Sequence, residues 1–168
     1  GQPLFRLDPR DVLANVEAAE AEAAGAELDV RVQRAAYRQA EAGVAAARET
    51  VAYTAREARR QAQLAAAGVA SSQQAADAAH AAQQARDQLT LARQRAIGAL
   101  AALDGNPDIP VADHPRVLEA RARLRRSRLD VSYTTVSAAS DGVVARVDQM
   151  PVGTYVRASQ TGFWLLAG

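Results

Sequence analysis

The chain has 168 residues and a formal net charge of +1, and 49% of its residues are hydrophobic although only 4% are aromatic. Much of the apolar content is alanine, which is too small to fill a thick interior but lets two helix backbones approach closely. All basic residues are arginine and lie scattered along the chain, which argues against a nucleic-acid-binding surface. The absence of lysine excludes lipoyl, biotinyl and Schiff-base attachment, and the absence of cysteine is compatible with an oxidising compartment.

The first helical pattern begins at Asp8, a favoured N-cap residue, followed by Pro9 at the first helical position. From there apolar residues recur at every seventh position for about six heptads, and small residues follow most of them three positions later. This pattern predicts a long helix with one apolar stripe. The row comprises Val16, Ala23, Val30, Tyr37, Val44, Val51 and Ala58.

A tight turn is predicted over about 65–72. Gly68 stands where a glycine commonly ends a helix, and Ser71 with Gln74 has the spacing of a capping box. A second apolar row then follows on a second helix. When the two rows are aligned antiparallel about the turn, large side chains of one row lie opposite small side chains of the other. This arrangement predicts an antiparallel coiled-coil hairpin. The expected seam residues are Val30, Tyr37, Val44, Val51, Ala85, Leu89, Ala92 and Ala96.

The returning arm should be interrupted over about 104–114, because this segment contains Asp-Gly-Asn-Pro and a second proline. We expect the helix to resume near Pro115 and the break to act as a hinge. After Asp130 the pattern changes to β-branched, alternating segments, and the amino-terminal segment 3–7 should pair with them or with a part of the protein outside this chain. The expected strands are 131–136, 143–147, 154–156 and 163–166.

The strand ending in Leu7-Asp8-Pro9, the long hairpin and the return through residues 129–136 resemble the HlyD-like membrane fusion proteins. The resemblance implies a mainly α chain with a small β part, in which the hairpin is inserted in a partial lipoyl-like (barrel-sandwich) domain. Residues 1–8 would be the last strand of the first lipoyl half, 9–129 the hairpin, and 130–168 the second half. The broken return arm is similar to the branch that serves major-facilitator multidrug exporters.

Relative to the family pattern, the membrane anchor, most of the first lipoyl half and a β-barrel after residue 168 are absent, so we expect a fragment of a longer protein. Arg60, Leu64 and Ser71 fit the Arg-x3-Leu-x6-Ser pattern of adaptors that meet TolC-like outer-membrane channels. The resemblance implies channel docking there, with Gly68 and Arg59 nearby. Purely structural roles compete: Ser71 as N-cap, Leu64 as the last seam residue, and the arginines as solvated flanks.

The expected function is that of a non-enzymatic periplasmic adaptor, attached to the inner membrane, that links a drug exporter to an outer-membrane channel. The resemblance implies trimers or hexamers, with no cofactor and no nucleic-acid partner. His80 and His114 lack a second histidine or a cysteine at ligand spacing, so no metal or catalytic site is predicted. Two alternatives remain, a structural coiled-coil oligomerisation spacer and an adaptor of a type I protein secretion system.

Overall fold

The structure is a computed structural model that describes residues 1–145, 147–157, 162 and 164–166. The chain divides into a hairpin unit, Glu22–Ala120, and a terminal unit, Gly1–Ala21 with Arg121–Gly168. The prediction of a mainly helical chain with a small β part is confirmed. The helices are α1 (Arg10–Ala66), α2 (Ser72–Ala101) and α3 (Pro115–Ser132), and the strands are β1 (Pro3–Arg6), β2 (Thr135–Ser137), β3 (Val143–Ala145) and β4 (Trp164–Leu166).

In the described parts of the chain, no helix combines the length and the apolar character needed to cross a bilayer.

Within the hairpin unit, α1 and α2 lie side by side and run in opposite directions. Residues 36–43 of α1 line one shallow groove together with Ala92 and Arg95 of α2. Residues 37–48 line a second groove together with residues 93–100, and Val30 packs with Leu103. Residues further along α1 therefore lie beside residues earlier on α2, which is consistent with a long antiparallel helical hairpin.

The seam between the two helices is narrow. Val30, Val44, Ala85 and Leu89 are buried, with exposed fractions between 0% and 9%, and the other four predicted seam residues are half-buried. The Tyr37 hydroxyl extends past the seam and donates to Oε1 of Glu41, 2.9 Å away. This hydrogen bond raises the pKa of the Tyr37 phenol, because the neutral form is the donor.

The return from α2 to α3 is a packed corner, and we use the name corner for residues 102–117. Leu103, His114 and Val117 are fully buried there. Leu103 and Val117 pack against Val30 of α1, flanked by the half-buried Val111 of a short 3-10 helix, Val111–Asp113. The segment that we expected to serve as a hinge therefore contains the fully buried His114 and is flanked by the fully buried Leu103 and Val117.

Polar contacts also tie α1 to the corner. The guanidinium of Arg34 donates to the carbonyl of Ile109. With its amide oriented to satisfy both partners, Gln33 donates to the carbonyl of Ala102, 2.9 Å away, and accepts from Nη1 of Arg116, 3.0 Å away. This hydrogen bond to a carbonyl at the end of α2 explains why a polar residue, Gln33, interrupts the apolar row of α1.

The terminal unit contains two small antiparallel sheets, β1 with β2 and β3 with β4. As predicted, the amino-terminal strand pairs with the carboxyl-terminal part of the chain, with Phe5 opposite Val136. Gly142, just before β3, lies very close to the backbone of β4. A Cβ at this position would be 2.4 Å from the carbonyl oxygen of Leu166. An ion pair of 2.8 Å joins Arg128 of α3 to Glu20 of α1.

At the start of α1 the carboxylate of Asp8 accepts hydrogen bonds from the backbone amide of Arg10 and from its guanidinium. The helix begins at Arg10, one residue after Pro9. The side-chain hydrogen bond from Arg10 is the main cause that lowers the pKa of Asp8 to about 2. Asp8 thus serves as the predicted cap.

The strand predicted over 131–136 was right only for its last two residues, which lie in β2, and the strand predicted over 154–156 was wrong. Residues 131–134 do not form a strand: α3 continues to Ser132, and the Oγ1 of Thr134 donates to the Val131 carbonyl, 2.7 Å away. Residues 154–156 form no strand either, because Thr154 bonds back to the Pro151 carbonyl through both its amide and its hydroxyl. In both segments, local side-chain hydrogen bonds take the place of the inter-strand hydrogen bonds that the alternating apolar pattern predicted. Arg146 and Phe163, within two other predicted strands, lie outside the described residues.

We expect Leu103→Ala to destabilise the chain by about 2–4 kcal/mol, because it leaves a cavity at a fully buried site. The matched control is Leu91→Ala, whose side chain is 59% exposed on α2 and whose loss should cost less than about 0.5 kcal/mol. Urea unfolding followed by circular dichroism measures both. Equal, small effects would show that the corner is not packed in solution.

Candidate functional site: the hairpin tip

The tip comprises the last turns of α1 from Glu57, the turn 67–71 and the first turn of α2. Gly68 has a left-handed backbone with φ of +75°. The amide of Val69 donates to the Leu64 carbonyl at 2.8 Å, and the amide of Gly68 donates to the Ala65 carbonyl at 3.0 Å. These two bonds define a Schellman motif, so the predicted glycine cap is confirmed.

The second helix of the tip begins with a complete capping box, as predicted. The Oγ of Ser71 accepts from the amide of Gln74, 3.1 Å away, and the side chain of Gln74 accepts from the amide of Ser71, 3.0 Å away. Because Oγ is the acceptor in the cap hydrogen bond, the hydroxyl hydrogen of Ser71 can still donate to another group. Ser71 is exposed, so a structural role and an outward hydrogen bond are compatible.

Arg60 is held in a fixed orientation by Glu57, one turn earlier on α1. Its Nη2 lies 2.7 Å from Oε1 of Glu57 and its Nε lies 3.0 Å from Oε2. The hydrogen bonds from Arg60, and one from Gln61, lower the pKa of the Glu57 carboxyl. The guanidinium itself is exposed, so it is a positioned positive charge at the protein surface.

Two apolar side chains complete the tip. Leu64 is half-buried and lies one turn after Arg60, so the two share a face of α1. Val69 is 74% exposed in the turn itself. The tip therefore offers a positive charge, a hydroxyl donor and an apolar contact on a preformed scaffold.

The structure places Arg60 and Leu64 on the last turns of α1 and Gly68 and Ser71 in the turn that follows. It adds two residues that sequence reasoning missed. Glu57 was overlooked although its spacing of three from Arg60 is a known ion-pair spacing on helices. Val69 was overlooked because nothing in the apolar pattern distinguishes an exposed turn residue from a seam residue. Arg59 is exposed beside Arg60.

The described residues hold no group of three or more histidine, aspartate or glutamate side chains arranged to bind a metal ion. The arrangement at the tip contains no nucleophile paired with a base.

The chain is 36% identical over 151 residues to the fatty acid resistance protein FarA of Neisseria gonorrhoeae. The alignment covers 90% of this chain and 37% of that protein, so the chain spans just over a third of the length of this curated relative. No protein-family model matches the chain, and no solved structure does.

We expect Gly68→Ala to destabilise the chain by about 1–2 kcal/mol, because alanine resists the left-handed conformation. An added Cβ would meet no atom within 4 Å, so the cost is one of backbone conformation alone. The matched control is Gly43→Ala in the interior of α1, which is equally unobstructed and should stabilise the helix by about 0.5–1 kcal/mol. Thermal unfolding distinguishes the two. Stabilisation by both changes would contradict the Schellman cap.

Proposed function

We propose that this chain is the hairpin-bearing part of a periplasmic adaptor of the membrane fusion type. In this role it links an inner-membrane transporter to a TolC-like outer-membrane channel and catalyses no reaction. The complete protein would be attached to the inner membrane, and the terminal unit would belong to a lipoyl-like domain. A transporter of the major-facilitator type and self-association into trimers or hexamers complete the proposal.

The single observation that supports it best is the similarity to a fatty acid resistance protein over nine-tenths of the chain, combined with the long helical hairpin. Resistance to a membrane-active compound is a phenotype that export across the envelope would produce. The hairpin suits such a role because its length comes from two helices whose packing resists bending.

The tip is proposed as the docking site for the channel. Arg60, Leu64 and Ser71 supply a charge, an apolar surface and a hydroxyl, with Arg59 beside them and Gly68 shaping the turn. A contact of this size is small and polar, and such interfaces form and separate readily. The preformed Schellman turn and capping box support docking, because a rigid surface loses little conformational entropy when it binds.

A coiled-coil spacer without a channel partner is the alternative from another class. It would associate through the same apolar stripe but between separate molecules. The buried Val30 and Leu103, which lie in one cluster of a single chain, favour the intramolecular hairpin. A type I secretion adaptor differs only in the transporter that it serves.

To test docking, Arg60→Asp, Leu64→Ala and Ser71→Ala are introduced into the complete gene product. Recovery of the channel with the adaptor, by crosslinking and affinity purification from cells, is then measured. We expect recovery to fall at least about tenfold for Arg60→Asp, because a reversed charge costs more than a lost contact.

The matched controls are Arg86→Asp, Leu91→Ala and Thr90→Ala, which reverse a charge, truncate a leucine and remove a hydroxyl at exposed positions of α2 outside the tip. These controls should assemble normally. Unchanged recovery in all three tip variants would reject docking at the tip while leaving the hairpin itself intact.

To test the hairpin, spin labels are placed at the exposed positions Ala45 and Arg93, which line one groove. The doubly labelled chain is diluted with unlabelled chain, so that only distances within one molecule are measured. Helix axes in contact lie roughly 8–10 Å apart, so strong short-range dipolar broadening is expected. Its absence would favour the spacer.

A further inference from the structure

The groove between residues 37–48 of α1 and residues 93–100 of α2 combines charged groups with apolar surface. We call it the arginine groove. It has a volume of about 380 Å³, which lies within the usual range for small-molecule sites. None of its lining residues belongs to the tip, so the docking role proposed for the tip leaves this surface without a function.

The arginine groove has a charged end and an apolar end. Because α1 and α2 run in opposite directions, the last lining residue of α1, Arg48, and the first of α2, Arg93, both lie at the end nearer the tip. Tyr37 and Leu100, at the opposite limits of the two stretches, lie at the end nearer the corner. The two ends are about 16 Å apart, because the stretch from 37 to 48 rises ~1.5 Å per residue.

The apolar surface of the groove lies between the arginines and the corner. Val44 is a buried residue of the seam, and Leu100 is half-buried. Ile97 is 59% exposed although it lies beside them. Spacings of four and three place Arg93, Ile97 and Leu100 on one face of α2. A ligand that covers Ile97 and Leu100 would remove apolar area from water, which is favourable.

The two guanidinium groups at the tip end are available to a ligand. Arg48 and Arg93 are exposed, and neither forms an ion pair or a side-chain hydrogen bond with any residue that the structure describes. The carboxylate of Glu41 also lines the groove. It accepts the hydrogen of the Tyr37 hydroxyl and stands about 10 Å before Arg48 along the helix. Two positive charges against one negative charge favour an anion at the tip end.

We propose that the arginine groove binds a free single-chain amphiphile with an anionic head group, namely a carboxylate on a long acyl chain. The carboxylate accepts hydrogen bonds from Arg48 and Arg93, whose planar guanidinium groups match its geometry. The acyl chain lies along Val44, Ile97 and Leu100. Two helices in contact have axes roughly 8–10 Å apart, so the groove between them suits one acyl chain and not the two chains of a phospholipid.

The test is isothermal titration calorimetry of the full chain with laurate below its micelle concentration. We expect saturable binding of one laurate per chain. Decanoate, which is shorter by two methylene groups, should bind about fourfold more weakly, because each half-buried methylene group contributes about twofold. Dodecyltrimethylammonium has a chain of similar length and a positive head group, and it should bind at least about tenfold more weakly than laurate.

The double change Arg48→Gln with Arg93→Gln should weaken laurate binding at least about tenfold, because charge-assisted hydrogen bonds are lost. Its matched control is Arg95→Gln, an exposed arginine that lines the other groove of the seam. Ile97→Asn should weaken binding about fivefold. Its control is Leu91→Asn, since both side chains are 59% exposed on α2. Neither control should change the affinity.

Equal affinities for laurate and dodecyltrimethylammonium, or an equal loss in Arg95→Gln, would overturn the proposal. Vesicles of anionic phospholipid that bind with the same dependence on Arg48 and Arg93 would contradict a free single-chain ligand. An affinity for laurate that falls as the chain concentration rises would show that a second copy of the chain covers the groove, and would overturn the proposal as well.

The direction of the bound acyl chain provides a second measurement on the unaltered chain. A nitroxide at the methyl end of the acid should broaden the amide resonance of Leu100 more strongly than that of Arg93, and the reverse order would contradict the proposed site. The tip variant Arg60→Asp should bind laurate as the wild type does, because no tip residue lines the groove. Failure of ligand binding and failure of channel docking are therefore distinguishable.

Discussion

The hairpin unit depends on the close approach of α1 and α2, and small side chains make that approach possible. Ala82 and Ala85 on α2 are only 5% and 4% exposed, although a methyl group covers little area. Such burial requires the partner helix to lie near the backbone itself. Each alanine contributes little hydrophobic free energy, so stability has to accumulate along the seam. The larger Val30, Val44 and Leu89 add to it at intervals.

A seam of this kind leaves the unit without a thick core, and the corner supplies what the seam lacks. Leu103 and Val117 close over Val30, while Gln33 and Arg34 satisfy carbonyls where helical hydrogen bonding ends. The polar groups at an interrupted helix need such partners, because an unpaired buried carbonyl is costly. The break thus combines packing with polar anchoring.

The tip is organised by a different rule, since its hydrogen bonds are local and its side chains are free to face a partner. Gly68 and the Ser71–Gln74 pair terminate and restart helices with contacts of six residues or fewer in sequence. Arg60 is oriented by a neighbour on its own helix. Rigidity at the tip therefore needs no support from a core, which suits a surface proposed to meet another protein. The similarity to a fatty acid resistance protein and this construction support the same proposal independently.

By itself the sequence determined the elements whose physics is local: the Asp8 cap, the glycine turn at Gly68, the capping box at Ser71 and the heptad rows that bury Val30 and Leu89. Periodicity and capping depend on neighbours within a few residues, so they can be read from one chain. Only the tertiary structure decided that α3 extends through Val131, that Gln33 serves the end of α2, and that His114 is buried with its ring on the Arg116 amide. Each of these features depends on contacts or burial that local periodicity does not encode. A β-branched run, a glutamine and a lone histidine have the same local preferences whether or not another part of the chain packs against them.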